Sequence, residues 1–400
     1  VPDLRALLLL LPLLLAAEEF PLGALLGMTG AGSAYSRDGA DGLALAVDEV
    51  NAAGGLLGRH PLRLVLADDR SEPALAASEA RRLIGEQRIR ALIGTYSSAC
   101  ALAIRPVAAE ARVVHLAPIS NTERLTVDDG DGWSFLMVPS THMQARAVAL
   151  GVARLARRNG WTSYATHASD YEFGRSTQAV FVAALQQVAP QLRLRQVLWP
   201  QLGEQRFVPF IDRLVAEKPS FVFVSLASDD NAAWVEQAKA RDFFSSFPCP
   251  GALVSVTELQ NQGAALPRGM MGLARAPFFA HLDVPMMQRF MASFRARFGR
   301  LPSDWAVLCY DSVQALRQAA VRAGGIEPGQ LRAALLGLEL DTCRGRLLMR
   351  ALDRQLVCPS YLGTVGDDPA WPFPVFKDLM MIPGAECMRS EDEVREMRRH

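Results

Sequence analysis

Short apolar runs alternate with helical periods along nearly the whole chain, and few folds accommodate that rhythm. The run PLGALLG (21–27) reads as a strand, after which Leu43, Ala46, Val47 and Val50 recur at i, i+3, i+4 and i+7 until Gly54 and Gly55 stop the helix. LRLVLADD (62–69) is a second strand, and the helix after it starts well with Pro73 in its first turn. RALIGTY (90–96) and RVVHLAP (112–118) add two strands around a helix over 99–111. The same order resumes after WSFLMVPS (133–140), with strands at 162–168, 194–199 and 220–226 and helices at 143–157, 171–188, 207–216 and 232–241. Such alternation implies a parallel sheet covered by helices on both faces, an α/β class. Two doubly wound halves therefore follow one another and join near 139–140. RGMMGLARAPFF (268–279) then reads as a strand entering a loop, followed by helices at 285–298, 303–323 and 327–336. Those helices have too few strands for a third domain, so they pack back and the chain crosses between lobes more than once.

In open α/β sheets, ligands sit at the carboxyl ends of the strands. Four places there carry polar groups. GMTGAGSAYS (27–36) is a Gly-rich loop holding Tyr35, and GTYSSA (94–99) sets Ser97 or Ser98 at a helix start beside free amides. APISNTERLT (117–126) offers Ser120 and Asn121, and ASDYEFG (168–174) offers Asp170, Tyr171 and Phe173.

Enzyme chemistries fit these loops poorly. Gly30 and Gly32 suggest a dinucleotide loop, but Tyr35 stands at the third glycine position and Asp68 lies 38 residues after Gly30 rather than about 20. The six histidines show no paired metal spacing, no GxSxG precedes a helix, and there is no GxxxxGK[ST] phosphate loop. The expectation is a binder without cofactor, metal or catalytic residues. The 42 basic and 42 acidic side chains cancel, which leaves no field to attract nucleic acid.

Residues 6–17, ALLLLLPLLLAA, follow Arg5 and are shorter than the roughly 20 apolar residues that a membrane span needs. They fit a secretory signal, so residues 1–18 are expected to be a signal peptide and the protein to work in the periplasm. Of the six cysteines, Cys343 and Cys358 are the pair to consider for a disulfide, because the stretch between them reads as two strands around a turn near 351–353.

The stretches TGAGSAYSRDGADGLALAVDEVNAAGG (29–55) and ALIGTYSSACALAIRPVAAEARVVHLAPISNTERLT (91–126) resemble the leucine/isoleucine/valine-type periplasmic binding proteins, the type I solute-binding components of ABC importers. The similarity runs from about residue 22 to about residue 363. It implies two Rossmann-like doubly wound lobes joined by three crossover segments, with lobe one at 19–139 and 272–343, lobe two at 140–271 and 344–385, and a tail at 386–400.

By position, Tyr35 matches an aromatic that covers the ligand, and Ser98, with Ser97 beside it, matches a serine that holds the ligand carboxylate. Ile119 and Asn121 match two positions that contribute a backbone group and a polar side chain. Phe173 takes the place of a cleft tyrosine, with Tyr171 and Asp170 close by, and Ser225 opens a segment where another cleft aromatic usually comes. Amino-acid binders of the family carry an acidic residue after a lobe-two strand near ALVSVTELQ (252–260), which pairs with the ligand ammonium. The closest positions here are Val256 and Thr257, and Glu258 serves if the loop shifts by a residue or two. ARAPFF (274–279), which contains Phe279, resembles the amide- and urea-type branch. The resemblance thus implies capture of an amino acid, amide, urea or aromatic or branched carboxylate between hinged lobes, with delivery to a membrane permease. A ligand-responsive sensor of the same fold is the alternative.

Overall fold

The computed structural model describes residues 18–30, 32–128, 132–226, 228–251 and 254–399. The expected signal peptide lies outside these except for its last residue.

The first body is a five-stranded parallel sheet in the order β2-β1-β3-β4-β5. Its strands are β1 (Phe20–Leu26), β2 (Leu62–Asp68), β3 (Ala91–Gly94), β4 (Val114–Ala117) and β5 (Ser134–Leu136). Helices α1 (Ser33–Ala52), α2 (Pro73–Gly85) and α3 (Ser98–Glu110) connect them. Leu22, Ala24, Leu43, Val50, Ile93 and Leu116 pack in one core cluster and Leu25, Leu83, Leu92 and Ile104 in another, so alternate residues of a strand serve opposite faces of the sheet.

The second body starts with α4 (Thr141–Asn159) and a parallel sheet of β6 (Ser163–Ala168), β7 (Arg193–Leu198) and β8 (Phe221–Ser225) in the order β7-β6-β8. Helices α5 (Glu172–Val188), α6 (Val208–Glu217) and α7 (Ser228–Lys239) cover it, followed by the short α8 (Phe243–Ser246). The amides of Val222 and Val224 donate to Pro248 and Pro250, and that of Val254 donates to Leu273. Pro248 and Pro250 thus lie beside β8, and Val254 lies beside β9 (Met271–Ala274) of an antiparallel sheet with β12 (Ser360–Gly366) and β13 (Val375–Ile382).

The residues that follow the strand implied near 252–260 form α9 (Val256–Gln262). The physical reason is a capping box: Ser255 accepts from a first-turn amide while the Glu258 carboxylate reaches back to the Ser255 amide at 2.7 Å.

The remaining helices are α10 (Pro285–Phe298), α11 (Asp304–Ala323) and α12 (Pro328–Leu335). They return to the first body. Gly42 of α1 allows this approach, since a Cβ there would meet the Ala306 carbonyl oxygen at 2.2 Å. The core passes from one body to the other between Val138 and Met143, between Ala274 and Ala276, and between Cys358 and Tyr361, and Val256 of α9 also reaches into the first core from between Val254 and Leu259 of the second. The fold is the expected pair of interwoven doubly wound units.

The third passage comes after Cys358 rather than at 343–344, because Met349, Leu356 and Cys358 pack in the first core. The strands around the expected turn also pair differently. β10 (Glu339–Thr342) pairs with β11 (Gly345–Leu348), which puts Cys343 in a tight hairpin turn, while Met349 bridges to Leu356. No Cys343–Cys358 bond is formed, and all six cysteines are buried free thiols. The tail folds into α13 (Gly384–Cys387) and α14 (Glu391–Met397), anchored by a two-pronged Arg389–Glu123 ion pair with both contacts at 2.8 Å.

Candidate functional site

A cavity of about 880 Å³ lies between the two bodies. The loops after β1, β3 and β4 line it from one side, and those after β6 and β8 from the other. Strand ends and helix starts converge here because every strand of a parallel sheet points the same way.

Tyr35, Ser97, Ser98, Ile119 and Asn121 line the cavity from the first body, with Tyr171 and Phe173 opposite and Glu258 at one end. Ser97 caps α3, its hydroxyl accepting from the Cys100 amide at 3.4 Å. That leaves the neighbouring Ser98 hydroxyl without a hydrogen bond to any described residue, beside the open amides of a 13-residue helix. The Asn121 amide group donates to Gln144 Oε1 at 2.8 Å, which fixes its side chain at the cavity edge.

The other expected positions lie off the cavity. Asp170 pairs with Arg175 at 2.6 Å, and Thr257 donates to Asp38 at 2.9 Å. Ser120 and Ser225 are buried beside the strand ends, and Phe279 packs edge-on against Phe278 and Phe376.

Glu258 reaches the cavity without any shift of its loop. Its Oε2 accepts from the amide and hydroxyl of Ser255, and its Oε1 accepts from the Tyr35 phenol at 2.6 Å. Burial pushes the carboxyl pKa up, and these hydrogen bonds pull against that shift. Burial also raises the Tyr35 phenol pKa, with the Glu258 charge adding to it, so the phenol stays protonated and donates.

Tyr96, Arg275 and Trp305 are among the lining residues that escaped the sequence reading. Tyr35 stacks on Tyr96 with ring centroids 5.6 Å apart and leans on Trp305 at 4.9 Å. Arg275 follows β9, donates to the Ile119 carbonyl at 2.8 Å, and lies 5.2 Å from the Trp305 ring centroid. Tyr96 was within reach, since it sits inside the GTYSSA motif. Arg275 and Trp305 come from distant segments that only the return of the chain brings here.

A family model described as periplasmic binding protein matches residues 19–369. A Leu/Ile/Val-binding protein of Rhizobium johnstonii is 35% identical over 112 residues, 28% of this chain and 30% of that protein. An amino acid binding protein of Pseudomonas aeruginosa is 23% identical over 320 residues, 80% of this chain and 82% of that one. Among solved structures, an ABC-transporter solute-binding protein of R. palustris in complex with 4-hydroxybenzoate superposes with a TM-score of 0.77 at 18% identity, covering 91% of this chain and 97% of that one. The match over 19–369, on a fold of two interwoven units around a lined cleft, establishes that the chain belongs to the periplasmic binding protein family.

Proposed function

We propose that this protein is the extracytoplasmic solute-binding component of an ABC importer, which captures a small amino acid, amide, urea or carboxylate and hands it to a membrane permease. The observation that carries the reading is the cleft itself: a cavity lined from both bodies, with the Ser98 hydroxyl unengaged at a helix start and aromatic rings on both sides. These features are suited to holding a ligand. The names of the relatives agree with capture of amino acids or aromatic acids.

The ligand docks first on the α3 N-terminus, Ser98 and Asn121. The second body then swings over it, bringing Tyr171 and Phe173 into contact, with the crossovers near 139, 275 and 359 as the hinge. Closure is driven by contacts that exist only in the closed state.

A thermal-shift screen of the purified protein against amino acids, short amides, urea and aromatic or branched carboxylates tests this reading. A captured ligand raises the melting temperature by mass action. Ser98→Ala removes one hydrogen bond to the ligand and weakens binding about tenfold. A screen in which nothing binds, or a hit unaffected by both Ser98→Ala and Asn121→Ala, overturns the proposal.

A further inference from the structure

Arg275 is only 8% exposed, yet it lines the cleft. Two of its five N–H donors are taken, by the Ile119 carbonyl at 2.8 Å and Gln144 Oε1 at 3.5 Å, and its Nε has no partner. No carboxylate among the described residues forms an ion pair with its guanidinium. The backbone amide of Arg275, not its side chain, is what Asp304 binds. The buried Arg344 makes the contrast plain, since it meets the Asp311 carboxylate at 3.1 Å. Burial pushes the Arg275 pKa down to about 10, so it remains a cation at neutral pH. The Asp304 and Glu258 carboxylates act on it only from beyond ion-pair distance, and a buried cation with no counterion in contact is expensive and calls for an anion.

The other charged group buried at the cleft is already served. The Glu258 carboxylate accepts from the Ser255 amide, the Ser255 hydroxyl and the Tyr35 phenol, so it needs no ammonium to compensate it. The walls between these groups are flat: Tyr35, Tyr96 and Trp305 on one side, Tyr171 and Phe173 on the other. Rings of this kind favour stacking on a planar apolar body.

We infer that Arg275 is the residue that reads the ligand's anionic group, and that the ligand is a small aromatic carboxylate without an ammonium group. This inference rests on the solute-capture reading above and narrows its ligand class. The carboxylate supplies the contacting counterion that Arg275 lacks, and the ring fills the aromatic slot.

Calorimetric titration of the full chain with benzoate, benzamide, leucine and phenylalanine tests the inference. Benzoate binds about tenfold or more tighter than its neutral isostere benzamide, and tighter than either amino acid. Arg275→Gln abolishes the preference for benzoate over benzamide, and Arg275→Lys keeps part of it. Should Arg275→Gln fail to fold, the benzoate and benzamide comparison in the parent protein decides by itself. Benzamide binding as tightly as benzoate, or either amino acid binding more tightly, overturns the inference. If an amino acid binds and Arg275→Gln leaves it unaffected, solute capture stands while the carboxylate assignment falls. If no compound in this panel or the wider screen binds, both fall.

Discussion

The Tyr35 hydroxyl donates to Glu258 Oε1 at 2.6 Å, which ties the first helix of one body to α9 across 223 residues of sequence. Two further bonds hold the start of α9 against the first body: Thr257 to Asp38 at 2.9 Å, and the Val256 amide to Asp304 at 3.1 Å. One end of the cleft is therefore latched by the protein's own side chains, and Glu258 is oriented before any ligand arrives.

Tyr35→Phe keeps the ring stacking and deletes the bond to Glu258. Chemical denaturation is expected to show a loss of about 1–2 kcal/mol, since a buried carboxylate then lacks one of its donors. An unchanged midpoint would mean that the latch contributes nothing to the fold.

Asp304 accepts from three amides, those of Val256, Arg275 and Ala276, at 3.1, 2.8 and 2.9 Å. It thereby pins the second crossover to the start of α11. Asp304→Ala leaves three buried donors unmatched, and a loss of about 3 kcal/mol or more is expected in the same assay.

Arg344 and Asp311 are a fully buried ion pair, and Arg344 also donates to the Met137 carbonyl at 3.1 Å beside the first crossover. Arg344→Met strands the carboxylate and costs about 3–5 kcal/mol. Adding Asp311→Leu removes the stranded charge, so the double variant is expected to recover much of that loss. A double variant less stable than Arg344→Met alone would show that the pair's hydrogen bonds, and not the uncompensated charge, set the cost.

Burial among Phe207, Phe210 and Trp234 pushes the His167 pKa down to about 3. The unfolded chain takes up a proton as pH falls through about 6.5, whereas the folded protein does not until far lower. This group therefore lowers stability as the pH drops below 6.5, by about 1.4 kcal/mol per unit once well below it. His167→Leu removes that contribution. Between pH 7.5 and 5 the variant should gain about 2 kcal/mol relative to the parent, and parallel stability curves would contradict the burial argument.

Much of the architecture was legible because strand and helix periods depend on local pattern. The elements from Phe20 to Lys239 follow the sequence reading closely in order, type and span. What escaped it depends on tertiary context. No helical period marks Val256–Gln262, yet the Ser255 and Glu258 capping box starts a helix there. Cys343 and Cys358 flank a real turn, but β11 pairs back onto β10 and changes the partners. In the cleft, Tyr35 and Ser98 open helices and Asn121 sits in a loop, each inside a recognisable motif after a strand. Arg275 reads as one cation among many until the fold shows that its guanidinium is buried without a carboxylate in contact.

On the proposed reading, the protein captures a small solute in the cleft and leaves it chemically unchanged. Equilibrium dialysis of the purified protein against its best thermal-shift ligand, with chemical analysis of what is recovered, tests this most directly. One intact ligand per chain is expected, with binding weakened about tenfold in Ser98→Ala. Recovery of a transformed product, or full-strength binding in both Ser98→Ala and Asn121→Ala, would contradict it.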